Sequence, residues 1–186
     1  MGVFDGVHLG HQFLLKQLTN LAKQHNWQST VLTFNEHPAN VLNPNQAVKL
    51  ILDLESKIRL LKAQPINNLI VQPFTQDFAN LTATEFVEQV LVEKLQISAI
   101  LITPNFRFGK NRQGDAQKLI SLAKKFSFKV FLARMYRHQR PNCQFQPNPT
   151  VISKRSPTKS RVVTWSSPKL SPINQSSFPI KTYTEQ

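Results

Sequence analysis

Residues 1–12 read MGVFDGVHLGHQ, placing His8 and His11 three apart around Gly10, at the head of a segment whose leucines keep helical spacing. Leu14, Leu18 and Leu21 fall at i, i+4 and i+7, which predicts one apolar face on a helix running to about Gln24. At a spacing of i and i+3 both imidazoles lie on the same side of the helix start, and Gly10 lets a ligand come close to the backbone. The first turn of a helix also carries unpaired N–H groups and positive potential, so the block is suited to hold phosphate. Alone, an H-x-x-H pair is also compatible with surface or partly buried histidines and with two metal ligands.

Outward from this block the pattern alternates. "STVLTF" (29–34) reads as a short buried strand, residues 48–62 as an amphipathic helix, and "NLIVQPF" (68–74) as a second strand. Thr82 with Glu85 three residues on is a capping box for a helix ending near Leu95. "SAILIT" (98–103) is the third strand, residues 115–125 the next helix, and "FKVFLA" (128–133) the fourth strand. Strands separated by helices imply right-handed βαβ units, so the expected fold class is α/β: a Rossmann-like parallel sheet with flanking helices.

The chain of 186 residues, 40% hydrophobic, is long enough for one domain with a sizeable core. One cysteine excludes an internal disulfide framework, and no long apolar run or charged-then-apolar leader is visible, which points to the cytoplasm. The net charge of +13 raises the possibility of a nucleic-acid partner. Six basic residues and one acidic residue lie beyond residue 140, leaving seventeen and nine dispersed before it, a distribution that also suits an enzyme of phosphate-bearing substrates. The last 46 residues hold seven of the twelve prolines and no glycine, with no helical or alternating period. A division into a domain at 1–133 and an irregular, disordered tail at 134–186 is therefore expected.

Gly2, Phe4, Asp5, Gly6, Val7, His8, Gly10, His11 and Gln12 together closely resemble the G-x-F-D-G-V-H-x-G-H-Q block of the FMN adenylyltransferase (FAD synthetase) module of bacterial bifunctional riboflavin kinase/FAD synthetases, within the H-x-G-H nucleotidylyltransferase superfamily. "TFNEHP" (33–38) is similar to the family's T-F-x-P-H-P, "LTATEFVEQVLVEKL" (81–95) to its helix before the third strand, and "NFRFGKNRQGD" (105–115) to its flavin-side loop. Glu36 stands where the family pattern has proline, and Thr103 where it has glycine. The flavin-side loop separates this pattern from other H-x-G-H transferases such as pantetheine-phosphate adenylyltransferases.

The resemblance implies transfer of AMP from ATP to FMN, giving FAD and pyrophosphate, with Mg²⁺ carried in on the ATP and no protein metal ligand identified. It assigns His8 and His11 to catalysis and Phe4, Asp5, Gly6, His8, Gly10 and His11 to ATP. Asn105, Phe106, Phe108 and Arg112 fall to the flavin, and Thr33, His37 and Pro38 to the pocket walls. Packing for the two phenylalanines, a solvated charge for Arg112 and a simple chain turn at His37 and Pro38 stand beside these roles. The implied partners are small molecules, without nucleic acid or membrane.

In the family a strand precedes the opening block, and Met1 stands where that strand would end. The sheet is thus expected to lack its first strand, to expose a core face beside the catalytic loop, and to be poorly stable. The family also carries S-S-T/S-x-I-R after the fourth strand, followed by a riboflavin kinase domain. Here the chain from Cys143 reads "CQFQPNPTVISKR", whose codons, read one nucleotide later, permit V-S-S-S-Q-I-R. A frameshift near residues 133–142 would account for the tail, and activity near background is expected without that motif. The alternatives are a non-functional fragment of a decayed gene and a basic nucleic-acid-binding protein with a disordered tail.

Overall fold

The computed structural model describes residues 1–136 and 181–184. Helix α1 (Leu9–His25) follows a single 3₁₀ turn, Asp5–Val7, and leads to strand β1 (Thr30–Phe34). Short helix α2 (Pro38–Leu42) and helix α3 (Leu54–Lys62) precede β2 (Asn68–Gln72). Helices α4 (Gln76–Asn80) and α5 (Ala83–Glu85) follow, the latter running directly into a π-helical stretch, Phe86–Lys94. Then come β3 (Ala99–Ile102), α6 (Ala116–Phe126), β4 (Lys129–Leu132) and β5 (Lys181–Thr184). This is the expected α/β alternation, with β1 parallel to β2 and β3 parallel to β4.

Alternation along β1 builds a core on each face of the sheet. Val31 packs on one side with Leu15 of α1, Leu61 of α3 and Leu69 of β2. Leu32 and Phe34 point the other way, into a larger cluster with Phe86, Val87, Val90, Ile102 and Leu119. Helices therefore cover both faces, which is why the strands read as continuous apolar runs. The capping box is present, with Thr82 N–H donating to Glu85 at 2.8 Å and Glu85 N–H to the Thr82 hydroxyl at 3.2 Å. Asp115 caps α6 by accepting from Lys118 N–H at 2.8 Å.

Four expectations are corrected. The helix expected over residues 48–62 begins only at Leu54: Asp53 caps it, accepting from Ser56 N–H at 2.7 Å. The N–H groups of Ile51 and Leu52 turn instead to the Asp5 carboxylate, leaving Ile51 75% exposed. The face of α1 expected at Leu14, Leu18 and Leu21 is only partly buried, and the helix buries Leu15, Thr19 and Ala22 instead, one position round. The single parallel sheet is two sheets, β1-β2-β5 and β3-β4. Finally, residues 181–184 of the tail are not irregular: they form β5, antiparallel to β2, with Tyr183 against the Leu61 and Leu69 core. A lone four-residue strand has too short a period to be seen in sequence. The Cys143 segment and the remainder of the expected tail lie outside the described residues.

Candidate active site

The opening block sits at the end of the sheet where parallel strands finish, the end at which open α/β sheets bind ligands. Its backbone is unusual: φ is +52° at Phe4, +72° at Gly6 and +38° at Val7. Positive φ at two non-glycine residues is costly and persists only when the surroundings hold it. They do so here, since Phe4 and Val7 are both core residues and Gln12 Nε2 donates to Val7 O at 3.0 Å. The Asp5 carboxylate accepts from Ile51 and Leu52 N–H at 3.1–3.2 Å, tying the turn to the segment ahead of α3. Burial pushes that carboxyl up, but these N–H groups and the charge of Lys57 win and hold it below the ordinary carboxylate range.

The tight turn delivers His8 as the cap of α1. His11 N–H donates to His8 Nδ1 at 3.4 Å, so Nε2 of a neutral His8 keeps the proton as a donor. The His8 and His11 rings stack with centroids 3.7 Å apart, and Phe4 lies against His11 at 5.1 Å. A Cβ on Gly10 would come within 3.1 Å of the His8 ring, so glycine is what leaves room for the stack. Burial, and next the His8 ring, push the His11 pKa from 6.5 down to about 4, against a weaker opposing pull from Asp5. His11 Nδ1 is buried with no hydrogen-bond partner among the described residues. A buried polar nitrogen without a partner is poised for a ligand atom.

Of the residues expected to wall the pocket, Thr33 is fully buried and donates its hydroxyl to Val3 O at 3.1 Å, holding the opening block to β1. His37 and Pro38 start α2 immediately after β1, and Glu36 is exposed. The loop after β3 folds back on itself through a two-way pairing of Phe108 with Gly114, at 3.0 and 2.9 Å. Gly109, at φ +72°, lies where a Cβ would meet Ala83 N at 2.7 Å, and Lys110 N–H donates to Leu81 O. Within this loop Phe108 is buried against Phe86, Phe106 is half-buried and stacked on Phe108 at 5.4 Å, and Asn105 and Arg112 are exposed.

One residue of the site escaped the sequence reading. Lys57 is 4% exposed and donates Nζ to Phe34 O at 2.6 Å, at the end of β1. Burial lowers its pKa, and the charge of Asp5 opposes that. The available signal was a lysine on the apolar stripe formed by Leu54 and Leu61, at i−3 and i+4.

A family model described as FAD synthetase matches residues 1–146. Over 130 residues the chain is 34% identical to a bifunctional riboflavin kinase/FMN adenylyltransferase of Buchnera aphidicola subsp. Schizaphis graminum and 36% identical to that of Haemophilus influenzae; in each case 70% of the chain and 42% of the relative are covered. A Listeria monocytogenes relative of the same name is 37% identical over 125 residues, 67% of the chain and 38% of the relative. The chain thus spans about two fifths of the length of these curated relatives. Among solved structures it is similar to one described as a macrolide-efflux protein from Streptococcus pneumoniae, with a TM-score of 0.62 and 29% identity over 72% of the chain and 43% of that chain. With the opening block, the capped helix and the loop at residues 105–115 all inside the matched span, the chain belongs to the FAD synthetase family.

Proposed function

We propose that this chain catalyses transfer of AMP from ATP to FMN. The observation that carries the reading is the stacked His8–His11 pair at the start of a 17-residue helix, with a buried, unpartnered ring nitrogen on His11. A phosphate oxygen of FMN attacks the α-phosphorus of ATP, the bond from that phosphorus to the bridging oxygen breaks, and pyrophosphate departs. Such a displacement needs positioning and charge stabilisation more than covalent chemistry. His8 Nε2 and the α1 N-terminus would receive phosphate oxygens, and His11, protonating as negative charge arrives, would stabilise the transition state. Phe4, Asp5 and Gly6 hold this geometry through the loop they shape.

On the flavin side, Phe106 offers the ring face, with Phe108 supporting it from below, while exposed Asn105 and Arg112 supply polar contacts. Thr33, His37 and Pro38 wall the pocket between the two substrates. Mg²⁺ carried in on the ATP would neutralise charge on the nucleotide phosphates. No helix among the described residues is long and apolar enough to cross a membrane. The contiguous catalytic domain would end at about residue 133, with β5 returning from the following segment to pair with β2.

Incubating the chain with α-labelled ATP and FMN and separating the flavins tests the reading. Labelled FAD with stoichiometric pyrophosphate, lowered about 100-fold or more in His11→Ala, is expected. Unlabelled FMN only, with no nucleotide retained by the wild-type chain, would reject it.

A further inference from the structure

Lys57 joins three elements that meet at the ligand end of the sheet. It lies in the first turn of α3, and its buried Nζ reaches Phe34 O, the last carbonyl of β1, at 2.6 Å. Main chain could have served that carbonyl. Gly2 N–H donates to Leu32 O at 3.0 Å, and the next rung of a parallel pairing, two residues on, is Phe4 N–H to Phe34 O. Phe4 turns out of this register at φ +52° and ψ +33°, and the Lys57 ammonium takes the carbonyl in its place.

The ammonium also answers the charge of Asp5. Burial pushes the Lys57 pKa down and the Asp5 charge opposes it; burial pushes the Asp5 pKa up, and the N–H groups of Ile51 and Leu52, with Lys57, overcome it. Those two N–H groups belong to the segment that leads into α3, and the Ile51 side chain lies 3.4 Å from where a Cβ on Gly6 would stand. Residues 4–7, 34 and 51–57 thus close a circuit around one cation. The turn inside it has positive φ at Phe4, Gly6 and Val7, a backbone that persists only while its surroundings over-determine it. His8 follows directly, capping α1 and lying over His11.

We propose that Lys57 is a positioning residue for the His8–His11 pair: its ammonium, anchored on Phe34 O and opposite in charge to Asp5, keeps the Phe4–Val7 turn in the form that presents the two rings as a stack. Lys57 is 4% exposed, so it acts through the turn rather than on a substrate. Its bearing on AMP transfer rests on the catalytic reading above. The ring geometry does not, and it is read with no substrate present, so either can fail without the other.

The test is NMR of the full chain with isotope-labelled histidine, above about pH 8, where ordinary histidines are neutral and a change of field does not alter their charge. While stacked, the His8 and His11 rings shield each other's ring protons. The His25 ring, stacked on Trp27 at 4.3 Å, is an internal reference at the other end of α1. In Lys57→Met the His8 and His11 signals should lose most of their upfield displacement while the His25 signal keeps its own. Lys57→Arg, which restores a charged donor, should return the pair to its wild-type position. Leu61→Ala empties a fully buried site one turn further along α3, destabilising the fold without removing the ammonium, and should leave the pair stacked. Where Lys57→Met does not fold, Lys57→Gln, which keeps a polar tip without the charge, is read in the same way. Unmoved rings in the folded, uncharged variant would overturn the proposal. Equal movement in Leu61→Ala or in Lys57→Arg would overturn it too, because the stack would then follow stability or packing and not the ammonium.

Discussion

The imidazole of His8 lies over that of His11 with centroids 3.7 Å apart and planes 21° from parallel, while His8 Nδ1 accepts the N–H of His11 itself. One residue thus caps the helix and covers the other's ring.

His11 is neutral near pH 7 in the free protein, because burial and then the His8 ring hold its pKa to about 4. The folded value lies below the unfolded one, so this group's stabilisation is complete above about pH 6.5 and is lost as pH falls through about 4. A triphosphate beside the ring favours the cation and raises the pKa, so ATP binding should take up a proton near about pH 6. Calorimetry in two buffers of different ionisation enthalpy measures that uptake. It should vanish in His11→Asn.

Gly10 lies inside α1, where alanine is favoured over glycine by about 1 kcal/mol. Its missing Cβ, however, is the space 3.1 Å from the His8 ring. Gly10→Ala should therefore keep or raise the melting temperature while cutting FAD formation about tenfold or more, the loss expected when the ring proposed to hold phosphate is displaced. A thermal melt and a flavin assay on one preparation separate the two effects.

Lys57 donates the hydrogen bond that satisfies Phe34 O at the end of β1. Lys57→Met keeps the stem and removes the donor, so urea unfolding should show a loss of about 2 kcal/mol, the usual worth of a charged hydrogen bond. A stability equal to wild type would mean that water replaces the ammonium at no cost.

Gly109 combines φ +72° with backbone atoms 2.7 Å from its absent Cβ. Gly109→Ala should push the loop off α5 and break the Lys110 contact to Leu81, weakening FMN binding more than ATP binding. Separate titrations with FMN and ATP distinguish this from general unfolding, which would weaken both alike.

Local signals carried the local structure. The helical period of α1, the Thr82–Glu85 box and the apolar strands each act over a few residues, through helix periodicity, side-chain capping and burial on two faces, and all three elements stand in the fold, although α1 buries Leu15, Thr19 and Ala22 rather than its row of leucines. The pairing of His8 with His11 was likewise legible, because i and i+3 on one helix start are neighbours whatever surrounds them. Other features depended on contacts between residues far apart in the chain. Asp5 draws the N–H groups of Ile51 and Leu52 away from a helix their own pattern allows, and Lys57 is buried only because Phe34 O stands at the end of a distant strand. The His11 pKa, the pairing of β5 with β2 and the division into two sheets belong to the same class. Each is fixed by desolvation or backbone pairing across long sequence separations, which spacing along the chain does not encode, so tertiary structure alone decided them.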